Sequence, residues 1–189
     1  MLPTIAWRGR SVLMIDQRKL PAQEAYIRCR TYIQVAQAIE KMVIRGAPAI
    51  GIAAAYGLVL GVMAMGVATG RSLDREFEKI YRRLERTRPT ARNLFWALER
   101  MREAYERTRT RGLPAIRAAL LAEAQAIERE DAETNRAIGR HGQVLLRDGW
   151  TVLTHCNAGA LATAEYGTAL GIVRAAVAEG KSIRVFADE

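Results

Sequence analysis

A stretch of 24 residues without a charged side chain, from Ala47 to Gly70, constrains the fold most strongly. It is long enough to cross a bilayer, and its Gly57-x-x-x-Gly61 and Gly66-x-x-x-Gly70 spacings are typical of closely packed membrane helices. The stretch is nevertheless rich in Ala and Gly rather than Leu, and no second one like it follows. A helix buried on all sides explains it better, because small residues let neighbouring helices approach closely. We therefore predict a buried core helix that begins near Ala47, and no membrane partner.

The positive charge of the chain is concentrated in one segment. The formal net charge is +9 over 189 residues, and residues 71–111 hold 13 Arg or Lys against 7 Asp or Glu. A nucleic-acid surface or an anionic small molecule would account for such an excess. The Arg residues, however, are interleaved with Glu at helical spacing, and few aromatic residues lie among them. We interpret the segment mainly as a solvated helical surface and expect no nucleic-acid partner.

The cysteines and histidines point away from disulfide and metal chemistry. Two cysteines, Cys29 and Cys156, provide no disulfide framework and favour a reducing compartment. Together with His141 and His155 they lack the spacing of a zinc site, and no glycine-rich nucleotide motif occurs. The N-terminal residues lack the long apolar core of a signal peptide. We predict a cytoplasmic protein without a metal or a nucleotide cofactor.

The hydrophobic pattern divides the chain into two parts. Residues 1–125 predict a mainly helical N-terminal domain with a small β element, and residues 126–189 predict the start of a second domain. The predicted elements of the first part are strands at 11–16 and 25–30 and helices over 32–44, from Ala47, over 72–86 and over 90–109. A long helical stretch from Pro114 to about Arg147, with a possible break near Asp131, leads into the second part.

A strand, a helix and a second strand follow. Trp150–His155 and Ser182–Phe186 are rich in β-forming residues and flank a predicted helix over 160–179. This order forms a βαβ unit and implies a parallel sheet. Because parallel strands require covered faces and more than one neighbour, we expect the unit to be the beginning of a Rossmann-like domain. The predicted fold class is α/β.

The segment Cys156–Gly159 lies where the first of these strands passes into its helix. Ligands bind at this edge of open α/β sheets, and the N-terminus of a following helix favours anions and thiolates. Cys156 is a proton shuttle, a nucleophile or an inert core residue. We do not expect His155 to act as its base, because adjacent strand residues point to opposite faces.

Two arginines precede predicted helices. Arg45-Gly46-Ala47 places a guanidinium and a flexible backbone before a helix N-terminus, an arrangement that suits a phosphate. The alternative is a glycine hinge with a solvated Arg45. Arg88 lies in a similar place, with Thr90 as the predicted N-cap of the next helix. The three helix starts could converge on one anionic ligand.

Three groups of motifs stand out: Arg45–Gly51 (RGAPAIG), Arg88–Leu94 (RPTARNL) with Trp96–Leu98, and Cys156–Gly159 (CNAG) with Tyr166–Ala169 (YGTA). Together they resemble methylthioribose-1-phosphate isomerase of the methionine salvage pathway. They follow the order and spacing of the family over nearly the whole chain. The wider superfamily includes ribose-1,5-bisphosphate isomerases and the regulatory subunits of translation initiation factor 2B. The intact RGAPA motif and Cys156 favour an isomerase.

The resemblance implies an aldose–ketose isomerase that converts 5-methylthioribose 1-phosphate to 5-methylthioribulose 1-phosphate without a metal or organic cofactor. It implies that Arg45, Gly46, Ala47 and Arg88 hold the phosphorylated sugar and that Cys156 donates or accepts a proton. It also implies a homodimer for the full-length protein. A ribose-1,5-bisphosphate isomerase and a non-catalytic module like the initiation-factor subunits are the alternatives.

The resemblance also implies a second catalytic group, an Asp in the Rossmann-like domain. Its position lies beyond Glu189, and Asp188 stands at a different point of the family pattern. We therefore expect residues 1–189 to form the N-terminal half of such an enzyme and to be inactive alone.

Overall fold

A computed structural model describes residues 3–66 and 70–188 of the chain. The helices in these ranges are α1 (Tyr32–Glu40), α2 (Ala47–Ala64), α3 (Gly70–Glu85), α4 (Arg92–Thr108), α5 (Leu113–Gly142) and α6 (Ala169–Ala178). The strands are β1 (Ile5–Trp7), β2 (Val12–Ile15), β3 (Tyr26–Cys29), β4 (Thr151–His155) and β5 (Arg184–Asp188). The predicted α/β class is confirmed.

Helix α2 lies at the centre of the fold. All of its residues from Ala49 to Val62 are buried, and α1, α3, α4 and α5 pack around it. By length and composition it could cross a membrane, but 78% of its 18 residues are buried inside the protein. The prediction of a buried core helix that begins at Ala47 is therefore confirmed.

Two glycines allow the neighbours of α2 to approach closely. A Cβ atom at Gly57 would lie 3.0 Å from side-chain atoms of α1 and α3, and one at Gly61 would lie 2.7 Å from Ile80 of α3. The Gly57-x-x-x-Gly61 spacing is therefore a packing surface inside a helical domain. The Gly66-x-x-x-Gly70 pattern includes residues 67–69, which lie outside the described residues.

An antiparallel sheet in the order β1-β2-β3 packs against α2. Trp7 at the end of β1 stacks on Tyr56 of α2, with ring centroids 5.5 Å apart. Strand β1 was not predicted, because three residues are too few to show a period of two. Thr31 and Gln34 form a capping box at the start of α1. Helix α1 ends earlier than predicted, since Met42 takes a left-handed φ of 55°.

Ion pairs cover the arginine-rich surface of α3 and α4. Arg82 and Arg102 contact the carboxylate of Glu78 at 2.7 and 2.9 Å, and Arg83 contacts Glu40 at 2.7 Å. Exposed pairs of this kind each contribute only about 0–1 kcal/mol. The pairing supports the interpretation of residues 71–111 as a solvated helical surface.

Helix α5 is one continuous helix, so the possible break near Asp131 is absent. The Asp131 carboxylate accepts the backbone N–H of Ala164 at 2.7 Å and therefore does not compete for the backbone of its own helix. The helix runs through the predicted domain boundary at residue 125, and the division into residues 1–125 and 126–189 stays a prediction.

Strands β4 and β5 pair in parallel, from Thr151↔Arg184 to His155↔Asp188, with α6 between them along the chain. The βαβ unit is confirmed, but the predicted start of its helix is wrong. Residues 160–162 form a single 3-10 turn, and α6 begins at Ala169. Tyr166 and Gly167 have φ values of 75° and 89°, which no helix accommodates.

The two-stranded sheet exposes apolar side chains. Leu153 and Phe186 are direct partners in the ladder and are 73% and 68% exposed. Parallel sheets are normally covered on both faces. This pair is therefore an uncovered apolar surface in the described part of the chain.

The packing of α2 predicts a sharp difference between two glycine substitutions. We expect Gly61→Leu to lower the free energy of unfolding by about 2–3 kcal/mol, because the added atoms must displace Ile80. Gly66→Leu is the matched control, since nothing lies within 4 Å of that position, and should change it by less than about 0.5 kcal/mol. Urea unfolding measures both, and equal midpoints would contradict the packing argument.

Candidate functional site

Cys156 follows the last residue of β4 and is held in an unusual conformation. Its φ is 67°, its thiol is exposed, and its backbone N–H donates to the carbonyl oxygen of Asp188 at 2.9 Å. A left-handed residue other than glycine costs on the order of 1 kcal/mol and needs support from its surroundings. Cys29, by contrast, is buried, which raises the pKa of its thiol to about 11. Of the two cysteines, Cys156 is the one available for chemistry.

No helix begins directly after Cys156, so the prediction of a helix N-terminus beside its thiol is wrong. The first helix after it is α6 at Ala169, so the dipole of a helix N-terminus does not act on the thiol. His155 engages its ring Nδ1 with the carboxylate of Asp188 at 2.9 Å. The expectation that His155 does not serve as the base for Cys156 stays a prediction.

Cys156 lines a cavity of about 470 Å³ between the N-terminal sheet and α6. The other lining residues are Thr4, Ile15, Leu20, Glu24, Tyr26, Asn157, Ala158, Gly159, Ala160, Leu161, Leu170 and Arg174. This volume falls in the range of small-molecule sites. The contributions of the N-terminal sheet and of Arg174 were not predicted, because no local pattern relates these residues to Cys156.

Three separate elements fix the loop that follows Cys156. The Thr4 hydroxyl donates to the carbonyl oxygen of Ala160 at 2.8 Å, and the Gln17 side chain donates to that of Leu161 at 2.7 Å. Asp131 of α5 accepts the N–H of Ala164. The loop is therefore anchored to the N-terminal sheet and to α5, and it is not a freely moving segment.

The predicted phosphate loop packs directly against this anchored loop. Gly46 has a φ of 90°, and a Cβ atom there would lie 2.3 Å from the Cα atom of Ala162. Glycine is required at position 46 both by this conformation and by this contact. Arg45 and Ala47 on either side are exposed at the start of α2. The structure thus brings together two of the three predicted site segments.

Arg88 is half-buried in the turn that precedes α4. A Cβ atom at Gly51 of α2 would lie 2.7 Å from the carbonyl oxygen of Asn93, so the beginnings of α2 and α4 lie side by side. The predicted N-cap at Thr90 is wrong, because α4 begins at Arg92 and its N-cap is Ala91. Among the described residues, neither Arg45 nor Arg88 lines the cavity of Cys156. Convergence of all three segments on one ligand stays a prediction.

A polar pair of a buried tyrosine, Tyr56, and a half-buried carboxyl, Glu128, lies between α2 and α5. The Tyr56 hydroxyl donates to the carboxylate of Glu128, and burial raises the pKa of both groups. Burial also raises the pKa of Asp131 one turn further along α5. These groups link the core helix to the helix that anchors the site loop.

The family of the chain follows from comparison with known proteins. The sequence model of the Initiation factor 2 subunit family matches residues 43–189, and the chain belongs to that family. Within it, the chain is 56% identical over 186 residues to the methylthioribose-1-phosphate isomerase of Geotalea daltonii, covering 98% of this chain and 54% of that protein. The isomerase of Thermosipho africanus is 53% identical over 98% of this chain and 53% of its own length. The chain spans about half the length of these curated relatives.

Two solved structures share the fold. The 5-methylthioribose 1-phosphate isomerase of Pyrococcus horikoshii has a TM-score of 0.91 and 34% identity, covering 99% of this chain and 60% of its own. The translation initiation factor eIF-2B subunit delta of A. fulgidus has a TM-score of 0.85 and 43% identity, covering 99% and 54%. The resemblance predicted from the motifs is confirmed.

The pair of Tyr56 and Glu128 predicts a pH dependence of stability. Burial raises the pKa of Glu128 in the folded protein, so the folded state favours the protonated carboxyl. The resulting contribution to the free energy of unfolding is fully present at low pH and is lost as pH rises through the folded pKa. Glu128→Gln stays neutral, so its free energy of unfolding relative to wild type should increase from pH 4 to pH 7. Urea unfolding at several pH values measures this difference.

Glu130→Gln provides a control of opposite sign. Arg100 lowers the pKa of Glu130, so this substitution should become more harmful as pH rises over the same range. A pH-independent difference for Glu128→Gln would show that the Glu128 carboxyl titrates normally in the folded protein.

Proposed function

We propose that the chain supplies the phosphate-binding loop and the reactive thiol of an aldose–ketose isomerase acting on 5-methylthioribose 1-phosphate. The observation that carries the proposal is the contact of Gly46 with Ala162, which joins the loop of Arg45 to the loop of Cys156. The names of the relatives at 53–56% identity support the choice of reaction and substrate.

The beginning of α2 supplies the phosphate-binding groups in this proposal. The first turn of an 18-residue helix presents backbone N–H groups and the positive end of its dipole. Arg45 adds a guanidinium there, and the packing of Gly46 against Ala162 fixes the position of this turn relative to the loop of Cys156. Ala47 completes the turn, and Arg88 adds a second cation from the turn before α4.

Cys156 supplies acid–base chemistry in the proposed reaction. The substrate carries phosphate on its anomeric carbon, so ring opening cannot release a free aldehyde. A proton must reach the ring oxygen as its bond to carbon 1 breaks, hydrogen moves from carbon 2 to carbon 1, and the hydroxyl on carbon 2 loses a proton. The thiol is a candidate for one of these proton transfers. We propose no metal and no organic cofactor for them.

The other expectations from the sequence belong to the same proposal. They are a helical domain over residues 1–125, the beginning of a Rossmann-like domain over residues 126–189, a cytoplasmic location, a homodimer of the full-length protein, and no nucleic-acid or membrane partner. Pairing of the arginines on α3 and α4 with carboxylates supports the expectation of no nucleic-acid partner, because it leaves less unpaired positive charge on that surface.

The catalytic role of Cys156 is tested by Cys156→Ser. Because the chain matches about half of the Geotalea daltonii relative, the assay uses a fusion of this chain to the part of that relative which the match leaves uncovered. We expect kcat for 5-methylthioribose 1-phosphate to fall by about 10²–10⁴-fold, as for loss of an acid–base group, while ligand binding persists. Cys29→Ala is the matched control and should retain turnover.

Unchanged turnover in Cys156→Ser would exclude this thiol from catalysis. Binding without turnover in the unsubstituted fusion would instead favour a non-catalytic sugar-phosphate sensor. The A. fulgidus initiation-factor structure, at 43% identity, makes that the second candidate. Turnover of ribose 1,5-bisphosphate in preference to 5-methylthioribose 1-phosphate would favour the third candidate, a ribose-1,5-bisphosphate isomerase.

The role of Arg45 is tested by Arg45→Gln. We expect the Kd for 5-methylthioribose 1-phosphate to rise by about 10–100-fold, the value of one charge-assisted hydrogen-bonded contact. Arg111→Gln is the matched control, because it removes the same charge from an exposed position outside the site. Titration calorimetry measures the Kd of both variants. An equal loss of affinity in Arg45→Gln and Arg111→Gln would mean that only the net charge of the protein affects binding. Arg88→Gln should behave like Arg45→Gln.

A further inference from the structure

We propose that His155 and Asp188 act together as positioning residues that hold Cys156 in its left-handed conformation. The catalytic meaning of this inference rests on the proposed function. The positioning itself is independent of it and can be measured without any turnover.

Asp188 contacts two consecutive residues of the neighbouring strand end. His155 and Asp188 are the last paired residues of the β4–β5 ladder, and the His155 Nδ1 atom lies 2.9 Å from the Asp188 Oδ1 atom. The Asp188 carbonyl oxygen accepts the backbone N–H of Cys156 at 2.9 Å. The side chain of Asp188 therefore holds His155 while its main chain holds Cys156.

Cys156 requires such support because of its position. It is the first residue beyond the ladder, and its φ of 67° is one that a cysteine rarely adopts without constraint. The next anchor of the chain toward the C-terminus is Ala158, whose carbonyl oxygen accepts the backbone N–H groups of Thr168 and Leu170 at 3.1 and 3.2 Å. Between the ladder and that anchor, the hydrogen bond to Asp188 fixes the direction in which the thiol leaves the strand.

The pair acts locally and not through global stability. The side chains of His155 and Asp188 are 74% and 62% exposed, and exposed ion pairs contribute little to the stability of a whole protein. Loss of the pair should therefore loosen the end of the ladder and leave the core unchanged.

The opposite end of the same two strands provides a matched control. There, Arg184 donates from Nε to the hydroxyl oxygen of Thr151 at 3.1 Å, and these residues are the first pair of the ladder. Thr151→Val removes one cross-strand side-chain contact, as His155→Leu does. It lies at the end of the ladder far from Cys156.

Hydrogen exchange of the Cys156 amide, followed by NMR on the 189-residue chain, tests the inference. We expect His155→Leu and Asp188→Ala to lower the protection of this amide by about tenfold, relative to a core amide such as that of Leu58. Thr151→Val should leave that ratio unchanged. His155→Asn, whose amide can donate from near the Nδ1 position, should restore most of the protection.

An unchanged ratio in His155→Leu, or an equal loss in Thr151→Val, would overturn the inference. Dividing by the Leu58 protection removes any general loss of stability, so a poorly folded variant cannot imitate the expected result. If Cys156→Ser retains turnover but the exchange result holds, the proposed function fails and the positioning stands. If Cys156→Ser abolishes turnover but exchange is unaffected, the positioning alone fails.

Discussion

Close packing around helix α2 is the constraint on which the rest of the structure depends. Small residues along this helix allow α1, α3 and α4 to approach its backbone, and the site is assembled at its N-terminal end. At its other end, Arg117 of α5 donates to the carbonyl oxygens of Val62, in the last turn, and of Met65, the residue after the helix. A larger side chain on α2 would therefore displace both the core and the site.

The site depends on the same principle of close approach. The missing side chain at Gly51 lets the beginning of α4 approach, and the missing side chain at Gly46 lets the loop that follows Cys156 approach. The thiol itself is positioned by the end of a strand and not by the beginning of a helix. Its placement therefore depends on hydrogen bonds to Asp188 and on anchors from Thr4 and Gln17.

Much of the fold could be predicted from local sequence because the deciding interactions are local. The uncharged stretch predicted α2, the Thr31–Gln34 pair predicted the start of α1, and the change of period near Trp150 predicted the βαβ unit. The start of α6 was misjudged because the left-handed residue Tyr166 has no signature in sequence. Three-residue β1 is likewise too short to be recognised.

The candidate site could be predicted only in part. Local patterns identified Arg45 and Cys156. The residues that anchor the loop after Cys156, however, are distant from it in sequence. Thr4 and Ala160 are 156 residues apart, and Asp131 and Ala164 are 33 apart. Such contacts depend on the tertiary fold, and no periodicity or capping rule reveals them.

The contact between Gly46 and Ala162 has a consequence for how a ligand reaches the site. A position where even a methyl carbon would lie 2.3 Å from a backbone atom leaves no space for a side chain at residue 46. The two loops are therefore in direct backbone contact there. In the proposed function, a ligand would reach the site from the solvent side, where Arg45, Ala47 and Cys156 are exposed.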